Sequence, residues 1–375
     1  MSNMTNVISK DSKIDYSKSL VMGHNVKIGH GVYIKCETIE IGNDVEIGDN
    51  TRIFSMNIEI GDRTQFCGDT KIIAYDKLKI GTDCKIRRRA DFKARSIEIG
   101  DFFFSNDNPT PLIIGGGGSD YPTAHIKIGK RCVMHDSYIN VCKPVTIGND
   151  VGLSPSSTII THGFWNSVIE GYPNKFAGVT IGNNCIIGYG ALILMGVELG
   201  DYVSVGARAV VTKNFPKYAV IGGVPAKIIK QKGYRTMTLK DKRFEMKWIL
   251  KEYVELLKDK IDEVKTSELG PRNIVTIYGR YKDNNFRIVL GRPCFLNETR
   301  TIVLMFGGIT PLPKHYYLIN LAKYPYKWKG EEDEVTDDLR DFLRHYGIRI
   351  FSKRGFKTIP HKLKRKLLLD KIGVS

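Results

Sequence analysis

Apolar residues in the first 230 positions recur at intervals of six, and most are followed by a small residue. The pair Ile-Gly is far more frequent than a content of 37 glycines in 375 residues would produce by chance. It begins at Ile28, Ile41, Ile47, Ile60, Ile80, Ile99, Ile128, Ile147, Ile181 and Ile187. From Ile181 to Val211 the aliphatic positions keep the six-residue interval without a break.

This interval predicts a solenoid of short strands. One aliphatic residue in six suits strands joined by tight corners, three strands making a triangular coil of about eighteen residues. Each coil buries its apolar residues against the next. An amphipathic helix would need apolar residues at three-to-four spacing, which this region lacks. We therefore expect residues 1–232 to form a mainly β domain, a parallel β-helix shaped as a triangular prism of hexapeptide coils, with a glycine-rich β sandwich as the alternative.

Two long intervals interrupt the repeat. Ile99 and Ile128 are 29 residues apart, and Ile147 and Ile181 are 34 apart. The sequence thus predicts loops that leave the prism within residues 105–125 and 161–178. Loops on a rigid scaffold are where binding and catalytic residues concentrate. No Gly-Lys-Ser/Thr follows Gly115–Gly118, so we expect a flexible loop there and not a phosphate cradle.

Residues 233–375 show a different pattern, which predicts a second domain of α/β type. A linker helix is expected from Leu239 to about Lys265, because apolar residues there recur at helical spacing. The other elements expected are strands at 273–279, 286–290, 301–306 and 348–351 and a helix at 337–346. The segment 353–371 carries eight Lys or Arg beside four leucines. It predicts a basic amphipathic helix, either on an anionic membrane surface or packed on its own domain.

Charge and cysteine content narrow the class of protein. The net charge is +17, of which residues 1–232 carry +5 and residues 233–375 carry +12. Such a balance predicts a polyanionic partner, which can be a phosphorylated cofactor, anionic lipid or nucleic acid, and charge alone does not choose among them. With the motifs described below, we expect no nucleic acid partner. The seven cysteines include no Cys-x-x-Cys pair, which predicts reduced structural thiols and no metal site. Without a signal peptide or a bilayer-length apolar run, a cytoplasmic protein is expected, free or peripheral at the inner face of the membrane.

Two stretches then identify a resemblance. The segments VTIGNDVGLSPSSTIITHGFW (145–165) and VTIGNNCIIGYGALILMGVELGDYVSVGARAVVTKNFPKYAVIGGVPAKIIK (179–230) resemble the last coils and tail of hexapeptide-repeat acetyltransferases. That family includes galactoside, maltose and capsular-polysaccharide O-acetyltransferases. The resemblance implies a left-handed parallel β-helix, a homotrimer, and acetyl-CoA bound between neighbouring prisms. Residues 233–375 lie outside it.

The resemblance also implies an active site. His162 matches the catalytic base of the family, and neutral imidazole suits removal of a proton from an attacking alcohol or amine near pH 7. The alternative is a loop histidine that makes a structural hydrogen bond. Asn140 matches an asparagine expected to orient the acceptor, although a buried asparagine stacked within a coil is an equal reading. Trp165 and Tyr172, with Phe164 and Phe176, offer flat faces to a sugar ring or fix the loop on a neighbouring subunit.

Cofactor residues follow from the same tail. By similarity, small residues let the pantetheine arm lie against the prism wall, and lysines meet the phosphates of CoA. These residues are Gly188, Gly190, Ala207, Ala209, Lys213, Lys227 and Lys230. The sequence departs from the family pattern at Ile186, Val224 and Arg208. These departures weaken the assignment of individual CoA contacts more than the assignment of CoA as the cosubstrate.

The predicted function is an acetyl-CoA-dependent O-acetyltransferase that modifies a sugar hydroxyl of a cell-surface glycan or its precursor. The alternatives are a sugar-nucleotide N-acetyltransferase on the same scaffold, a transferase using another acyl donor, and a non-enzymatic scaffold that assembles glycan enzymes. A zinc-dependent carbonic anhydrase of the same prism type needs three histidines, two of them close in sequence. His125, His135 and His162 do not include such a pair.

Overall fold

The structure is a computed structural model that describes residues 5–106, 110–163, 165–269, 274–282, 284–291, 299–307, 315–355 and 357–362. The chain divides into two compact units, Met1–Arg235 and Thr236–Ser375. The two units are described separately below. Among the helices of these residue ranges, none has the length and apolar character needed to cross a membrane.

The first unit is a parallel β-solenoid. In chain order its strands are β1 (Val7–Ile8), β2 (Lys13–Met22), β3 (Lys27–Ile28), β4 (Tyr33–Ile41), β5 (Glu46–Ile47), β6 (Arg52–Ile60), β7 (Gln65–Phe66), β8 (Lys71–Ile80), β9 (Lys85–Ile86), β10 (Asp91–Ile99), β11 (Phe104–Ser105), β12 (Ile113–Gly115), β13 (His125–Ile128), β14 (Val133–Met134), β15 (Tyr138–Asn140), β16 (Val145–Ile147), β17 (Gly152–Leu153), β18 (Thr158–Ile159), β19 (His162–Gly163), β20 (Lys175–Phe176), β21 (Val179–Ile181), β22 (Ile186–Ile187), β23 (Leu192–Ile193), β24 (Glu198–Leu199), β25 (Ser204–Val205), β26 (Val210–Val211), β27 (Val220–Gly222) and β28 (Lys227–Lys230). One sheet runs β1-β3-β5-β7-β9-β11-β14-β17-β22-β25-β27-β28, and a second runs β2-β4-β6-β8-β10-β12-β15-β18-β23-β26 with β13, β16, β21 and β24 on a branch. The mainly β solenoid predicted from the hexapeptide interval is confirmed.

The early coils differ from the predicted three short strands. There, one strand of nine or ten residues follows each two-residue strand and spans two faces of the prism. The register between β6 and β8 shifts between Ser55 and Asn57, where Tyr75 and Asp76 of β8 lie opposite the single residue Met56, which marks a bulge in β8. A bulge bends a strand without ending it. Beyond β10, which pairs with both β12 and β13, the two faces carry separate strands.

The recurrent Ile-Gly-Asn/Asp signature has a packing explanation. The backbone N–H of Asn43 donates to Oδ1 of Asp62 at 2.8 Å, and that of Asn183 donates to Oδ1 of Asp201 at 2.6 Å. Each such side chain therefore joins one coil to the next. A Cβ atom on Gly81 would lie 2.6 Å from both N and Oδ1 of Asp101 in the following coil. Glycine is needed because the coils approach so closely, and not because of an unusual φ.

The interior of the prism holds stacked aliphatic residues and thiols. Cys84, Cys132 and Cys185 are buried and free. The thiol of Cys84 donates to the carbonyl of Gly100 at 3.3 Å. Burial raises the pKa of Cys84 to about 12 and that of Cys185 to about 11. These thiols are small apolar core groups, as their position in the repeat predicts.

Both predicted interruptions are present, but the first is divided. Strand β12 lies inside the predicted excursion 105–125 and pairs with β10 and β15 as part of the prism. Part of this segment therefore stays in the coil, with Ile114 buried in the core, and only the remainder leaves the prism. The second interruption forms an antiparallel hairpin of β19 and β20, with a 3₁₀ turn at Val168–Glu170.

The second unit is a sheet domain with helices α1 (Leu239–Lys258) and α2 (Glu334–Arg344). Its strands are β29 (Glu263–Leu269), β30 (Ile274–Tyr281), β31 (Asn284–Leu290), β32 (Arg300–Met305), β33 (Tyr316–Asn320) and β34 (Lys327–Lys329), in that spatial order. Among these six described strands, the β31-β32 and β32-β33 pairs are parallel and the other neighbouring pairs are antiparallel. Buried residues of both helices pack with the sheet in one core.

Two predicted elements of the second unit, the linker helix and the last strand, need correction. The linker helix ends at Lys258, and Lys265 lies in strand β29, because Glu263–Leu269 pairs along its length with β30. The expected strand at 348–351 is absent, although Ile350 is buried in the core.

The basic segment 353–371 was expected to be helical, but its described residues up to His361 form no helix, and Ile359 is buried. The backbone N–H of Ile359 donates to Oδ1 of the buried Asp338 at 2.7 Å. This part of the segment therefore packs on its own domain. The residues from 363 onward lie outside the described residues.

Candidate active site

The predicted base, His162, stands where the second interruption leaves the prism. It begins strand β19, directly after the coil strand β18, and pairs across the hairpin with Phe176. The two rings stack with centroids 5.7 Å apart and an interplanar angle of 14°. The hairpin thus holds the half-buried imidazole against an aromatic face.

A hydrogen bond to Asn140 selects the tautomer of this histidine. Nδ1 of His162 lies 2.9 Å from Oδ1 of Asn140. Oδ1 also accepts from the hydroxyl of Thr161 at 2.5 Å and from the backbone N–H of Cys142 at 3.4 Å, which identifies it as the amide oxygen. An amide oxygen only accepts, so Nδ1 carries the proton. The neutral ring then has its basic lone pair on Nε2.

Asn140 itself is enclosed in the coil. Its side chain is only 2% exposed, and Nδ2 donates to the carbonyl of Gly117 over a long 3.4 Å. From the family resemblance, Asn140 was expected to orient the acceptor. The geometry favours orientation of the imidazole, because the hydrogen bonds of the side chain are directed to Thr161, His162 and Gly117.

The four-glycine loop lies beside the base, which the sequence analysis did not anticipate. A Cβ atom on Gly117 would lie 3.4 Å from both Cε1 and Nε2 of His162. The loop follows strand β12 of the first interruption, so the two interruptions meet at one site. In the sequence, the run of four glycines was the feature that could have marked this loop as part of the site. Its proximity to His162 depends on the pairing of β12 with β15, which no local pattern reveals.

The aromatic residues of the hairpin are mostly exposed. Trp165 is 93% exposed and Tyr172 is 50% exposed, whereas Phe176 is 39% exposed and stacks on His162. The structure therefore brings Phe176 to the base, and leaves Trp165 and Tyr172 on the outer surface of the hairpin. Phe164, also named above, lies outside the described residues.

The predicted wall residues lie on another corner of the prism. Gly188 and Gly190 form the corner between β22 and β23, and Ala207 lies on the equivalent corner between β25 and β26. His162 instead follows β18, on the next corner along a coil. Gly188 packs on the coil above it, where a Cβ would lie 2.7 Å from N of Ala207. Within one chain, a face of the prism therefore lies between these residues and His162.

Ala209 does not face the outer wall as expected. Its exposure is 0%, and its side chain belongs to the core of the prism. The alternation of inward and outward residues at the corner explains the difference, because Ala207 is exposed while Ala209 points inward. A contact from the side chain of Ala209 to a ligand on the outer wall is therefore not possible.

The predicted phosphate-binding lysines are all exposed. Lys227 and Lys230 lie three apart on β28, a spacing that places residues on opposite faces of a regular strand. Here the register skips Ile229, so that Lys227 pairs with Gly222 and Lys230 with Val220. Gly222 and Val220 share one face, and the two lysines therefore do as well. Lys213 lies with Nζ 5.9 Å from the ring centroid of Phe215.

Comparisons with known proteins agree with this architecture. No protein-family model matches the chain. Galactoside O-acetyltransferase of Escherichia coli is 35% identical over 94 residues, which are 23% of this chain and 44% of that protein. Chloramphenicol acetyltransferase of Morganella morganii is 48% identical over 68 residues, which are 18% of this chain and 32% of that protein.

These relatives are acetyltransferases, and the chain is similar to each of them over part of its length. The chain spans less than half the length of either relative. Among solved structures, a maltose O-acetyltransferase of Clostridium difficile is 27% identical, with a TM-score of 0.30, over 35% of this chain and 67% of that one.

In this solenoid the described residues around His162 are suited to acid–base chemistry. They contain no cluster of three His, Cys, Asp or Glu side chains placed to hold a metal ion. What they do provide is an imidazole of fixed tautomer, an aromatic ring stacked on it and a glycine loop at its basic edge. Such a group can take a proton from a hydroxyl positioned within hydrogen-bond reach of Nε2.

Proposed function

We propose that the protein is an acetyl-CoA-dependent O-acetyltransferase that modifies a sugar hydroxyl of a cell-surface glycan or its precursor. The observation that carries the proposal is the 2.9 Å hydrogen bond between Nδ1 of His162 and Oδ1 of Asn140. It makes His162 a base with a defined reacting nitrogen. The similarity to a galactoside O-acetyltransferase supports the acetyl group and the carbohydrate acceptor.

The chemistry that follows is a direct transfer. The acceptor hydroxyl attacks the thioester carbonyl of acetyl-CoA while Nε2 of His162 takes its proton, so that a C–O bond forms. The tetrahedral intermediate collapses, the C–S bond breaks, and the thiolate of CoA receives the proton from the imidazolium. The products are the sugar acetate and free CoA, and the histidine returns to its neutral state.

Acetyl-CoA would approach from a neighbouring subunit. The small residues Gly188, Gly190 and Ala207 lie on a different corner from His162, so one chain does not bring them together. In a trimer of prisms, that corner of one subunit would face His162 of the next, and the CoA site would lie between them. Lys227 and Lys230, on one face of β28, would then meet the phosphates.

The test is an assay of the purified full-length chain with isotopically labelled acetyl-CoA and a panel of cell-envelope glycans, followed by mass spectrometry. We expect an O-linked acetyl group on a glycan. Replacement of His162 by Ala should lower kcat by roughly 10² to 10⁴, the usual contribution of a positioned base, with little change in CoA affinity. His125, an exposed histidine hydrogen-bonded to Ser96, gives the matched control His125→Ala, which should retain full activity.

Other outcomes would contradict the proposal in distinct ways. An N-linked product would indicate the sugar-nucleotide N-acetyltransferase alternative. CoA binding without any acetylated product would favour an assembly scaffold. Near-normal turnover by His162→Ala would remove His162 as the base.

A further inference from the structure

Thr161 joins the coil that carries Asn140 to the hairpin that begins at His162. It lies between strands β18 and β19, and it is fully buried. Its backbone carbonyl accepts from the N–H of Ala177 at 3.0 Å, which closes the open end of the hairpin. Its hydroxyl contacts the side chain of Asn140 and the backbone of Lys143. The backbone and the side chain of Thr161 therefore have separate partners.

The hydrogen bonds of the Thr161 hydroxyl run in one direction. Oγ1 accepts from the backbone N–H of Lys143 at 3.2 Å, and a backbone N–H can only donate. The hydroxyl proton is directed to Oδ1 of Asn140, where the two oxygens are 2.5 Å apart. Within the described residues, this proton has no second acceptor. A buried hydroxyl needs an acceptor, so Thr161 holds the oxygen of the Asn140 amide on its own side.

The orientation of the Asn140 amide decides which nitrogen of His162 is basic. A half-turn of the amide would place Nδ2, a donor, opposite Nδ1 of His162. Nδ1 would then have to accept, the proton would move to Nε2, and the basic lone pair would point at Asn140. The other contacts that oppose this half-turn are long. Oδ1 lies 3.4 Å from the backbone nitrogens of Cys142 and Thr161, and Nδ2 lies 3.4 Å from the carbonyl oxygen of Gly117.

We propose that the hydroxyl of Thr161 is a positioning group for the base, because it fixes the amide of Asn140, which in turn fixes the tautomer of His162. This inference rests on the proposed function and assigns a further residue to it. The hydroxyl is fully buried and acts through Asn140, not by contact with a ligand. In the tautomer that it maintains, Nε2 is the nitrogen that receives the proton of the attacking hydroxyl.

Thr161→Val tests the inference, because valine is close to threonine in shape and lacks the hydroxyl. We expect kcat to fall about 3- to 10-fold, the factor that corresponds to one hydrogen bond, with the KM for acetyl-CoA unchanged. Thr161→Ser keeps the hydroxyl and should bring kcat back close to the wild-type value. The backbone contact with Ala177 is available in both variants, so they differ from wild type in the side chain alone.

Thr64 provides a matched control in the early coils. It is also fully buried, and its Oγ1 accepts from the backbone N–H of Cys84 at 3.2 Å. Its hydroxyl donates to the carbonyl of Gly81 at 2.7 Å. Thr64→Val and Thr161→Val should lower the denaturation midpoint by similar amounts, because each leaves a buried N–H without its acceptor. Thr64→Val should leave kcat unchanged.

The tautomer itself can be measured without an assay of activity. In solid-state nuclear magnetic resonance of protein with isotopically labelled histidine, nitrogen shifts distinguish a protonated ring nitrogen from an unprotonated one. The signals of His162 are those missing from His162→Ala. In the neutral ring we expect the proton on Nδ1 in the wild type, in Thr161→Ser and in Thr64→Val. In Thr161→Val we expect it to be shared between Nδ1 and Nε2.

Three results would overturn the inference. The first is a wild-type kcat and tautomer in Thr161→Val. The second is a loss of kcat in Thr161→Ser as large as that in Thr161→Val, which would assign the effect to packing. The third is a proton on Nε2 in the wild type, a result that does not depend on the folding of any Thr161 variant. Failure of the proposed function would appear instead as full activity of His162→Ala or as CoA binding without transfer, and would leave the tautomer measurement unaffected.

Discussion

The regular coils between Val7 and Ser105 and the interrupted coils between Ile113 and Phe176 use the same repeat for different purposes. In the regular coils, glycine lets one coil approach the next, as at Gly81 above Asp101. In the interrupted coils, Gly117 has no such neighbour and faces His162 instead. The proposed chemistry thus lies where the repeat is broken, while the unbroken repeat supplies rigidity.

The asparagines show the same division. Asn149, at an uninterrupted corner, accepts from the backbone N–H of Lys130 at 2.8 Å and so joins two coils. Asn140, at the end of β15, instead directs its oxygen to His162. Both are inter-coil hydrogen bonds, but only one of them fixes the proton on a titrating ring.

The largest expected effect that separates the two regions is that of Asn140→Ala. Without the acceptor on Nδ1, both tautomers of His162 become accessible and the ring loses its fixed orientation, so kcat should fall by about 10²-fold. The pH profile of kcat should shift as well, which a purely structural role would not produce. Steady-state kinetics across pH 5 to 9 provides the measurement. The control Asn149→Ala should lower the unfolding free energy by about 1 kcal/mol and leave kcat unaltered. Equal kinetic effects from both variants would break the comparison.

A second effect concerns stability. In Gly81→Ala, the added carbon has no space between its coil and Asp101, so the coils must separate. Overpacking of this kind costs about 1–3 kcal/mol. Chemical denaturation should show the loss, while kcat/KM of the folded fraction stays normal. A fully stable Gly81→Ala protein would show that glycine is not required by the coil contact.

The smallest effect concerns the lysines. In the regular coils Lys18 pairs with Glu37 at 2.5 Å, whereas Lys227 and Lys230 have no acidic partner within the part of the chain that the structure describes. Replacing both Lys227 and Lys230 by Gln should raise the KM for acetyl-CoA about 2- to 10-fold and make it less salt-sensitive, because screened charge pairs are removed. Lys18→Gln is the matched control. An unchanged KM at low salt would place the phosphates elsewhere.

Periodic features can be predicted from this sequence, whereas contacts between residues far apart in the chain cannot. The six-residue interval predicts the solenoid, and the breaks after Ile99 and Ile147 predict both interruptions. Long strands such as β8, which continues through its bulge at Tyr75 and Asp76, could not be predicted, because a bulge needs no glycine or proline to mark it. The meeting of Gly117 with His162 was also hidden, since the two residues belong to different coils. In the second unit, apolar spacing near Lys265 fits a helix, but pairing with β30 makes it a strand.

The two-residue strands of the early coils pair in a constant register, which has an evolutionary consequence. Lys27 pairs with Glu46, Glu46 with Gln65, and Gln65 with Lys85, so that every coil presents the same join to its neighbours. Excision of residues 61–80 would connect Ile60 to Gly81 and recreate an Ile-Gly pair. Whole coils can therefore be gained or lost by duplication and deletion, each changing the length of the prism by about 4.8 Å. The run of coils from Val7 to Ser105 is in this sense a module of adjustable length, which can change without altering the coils around His162.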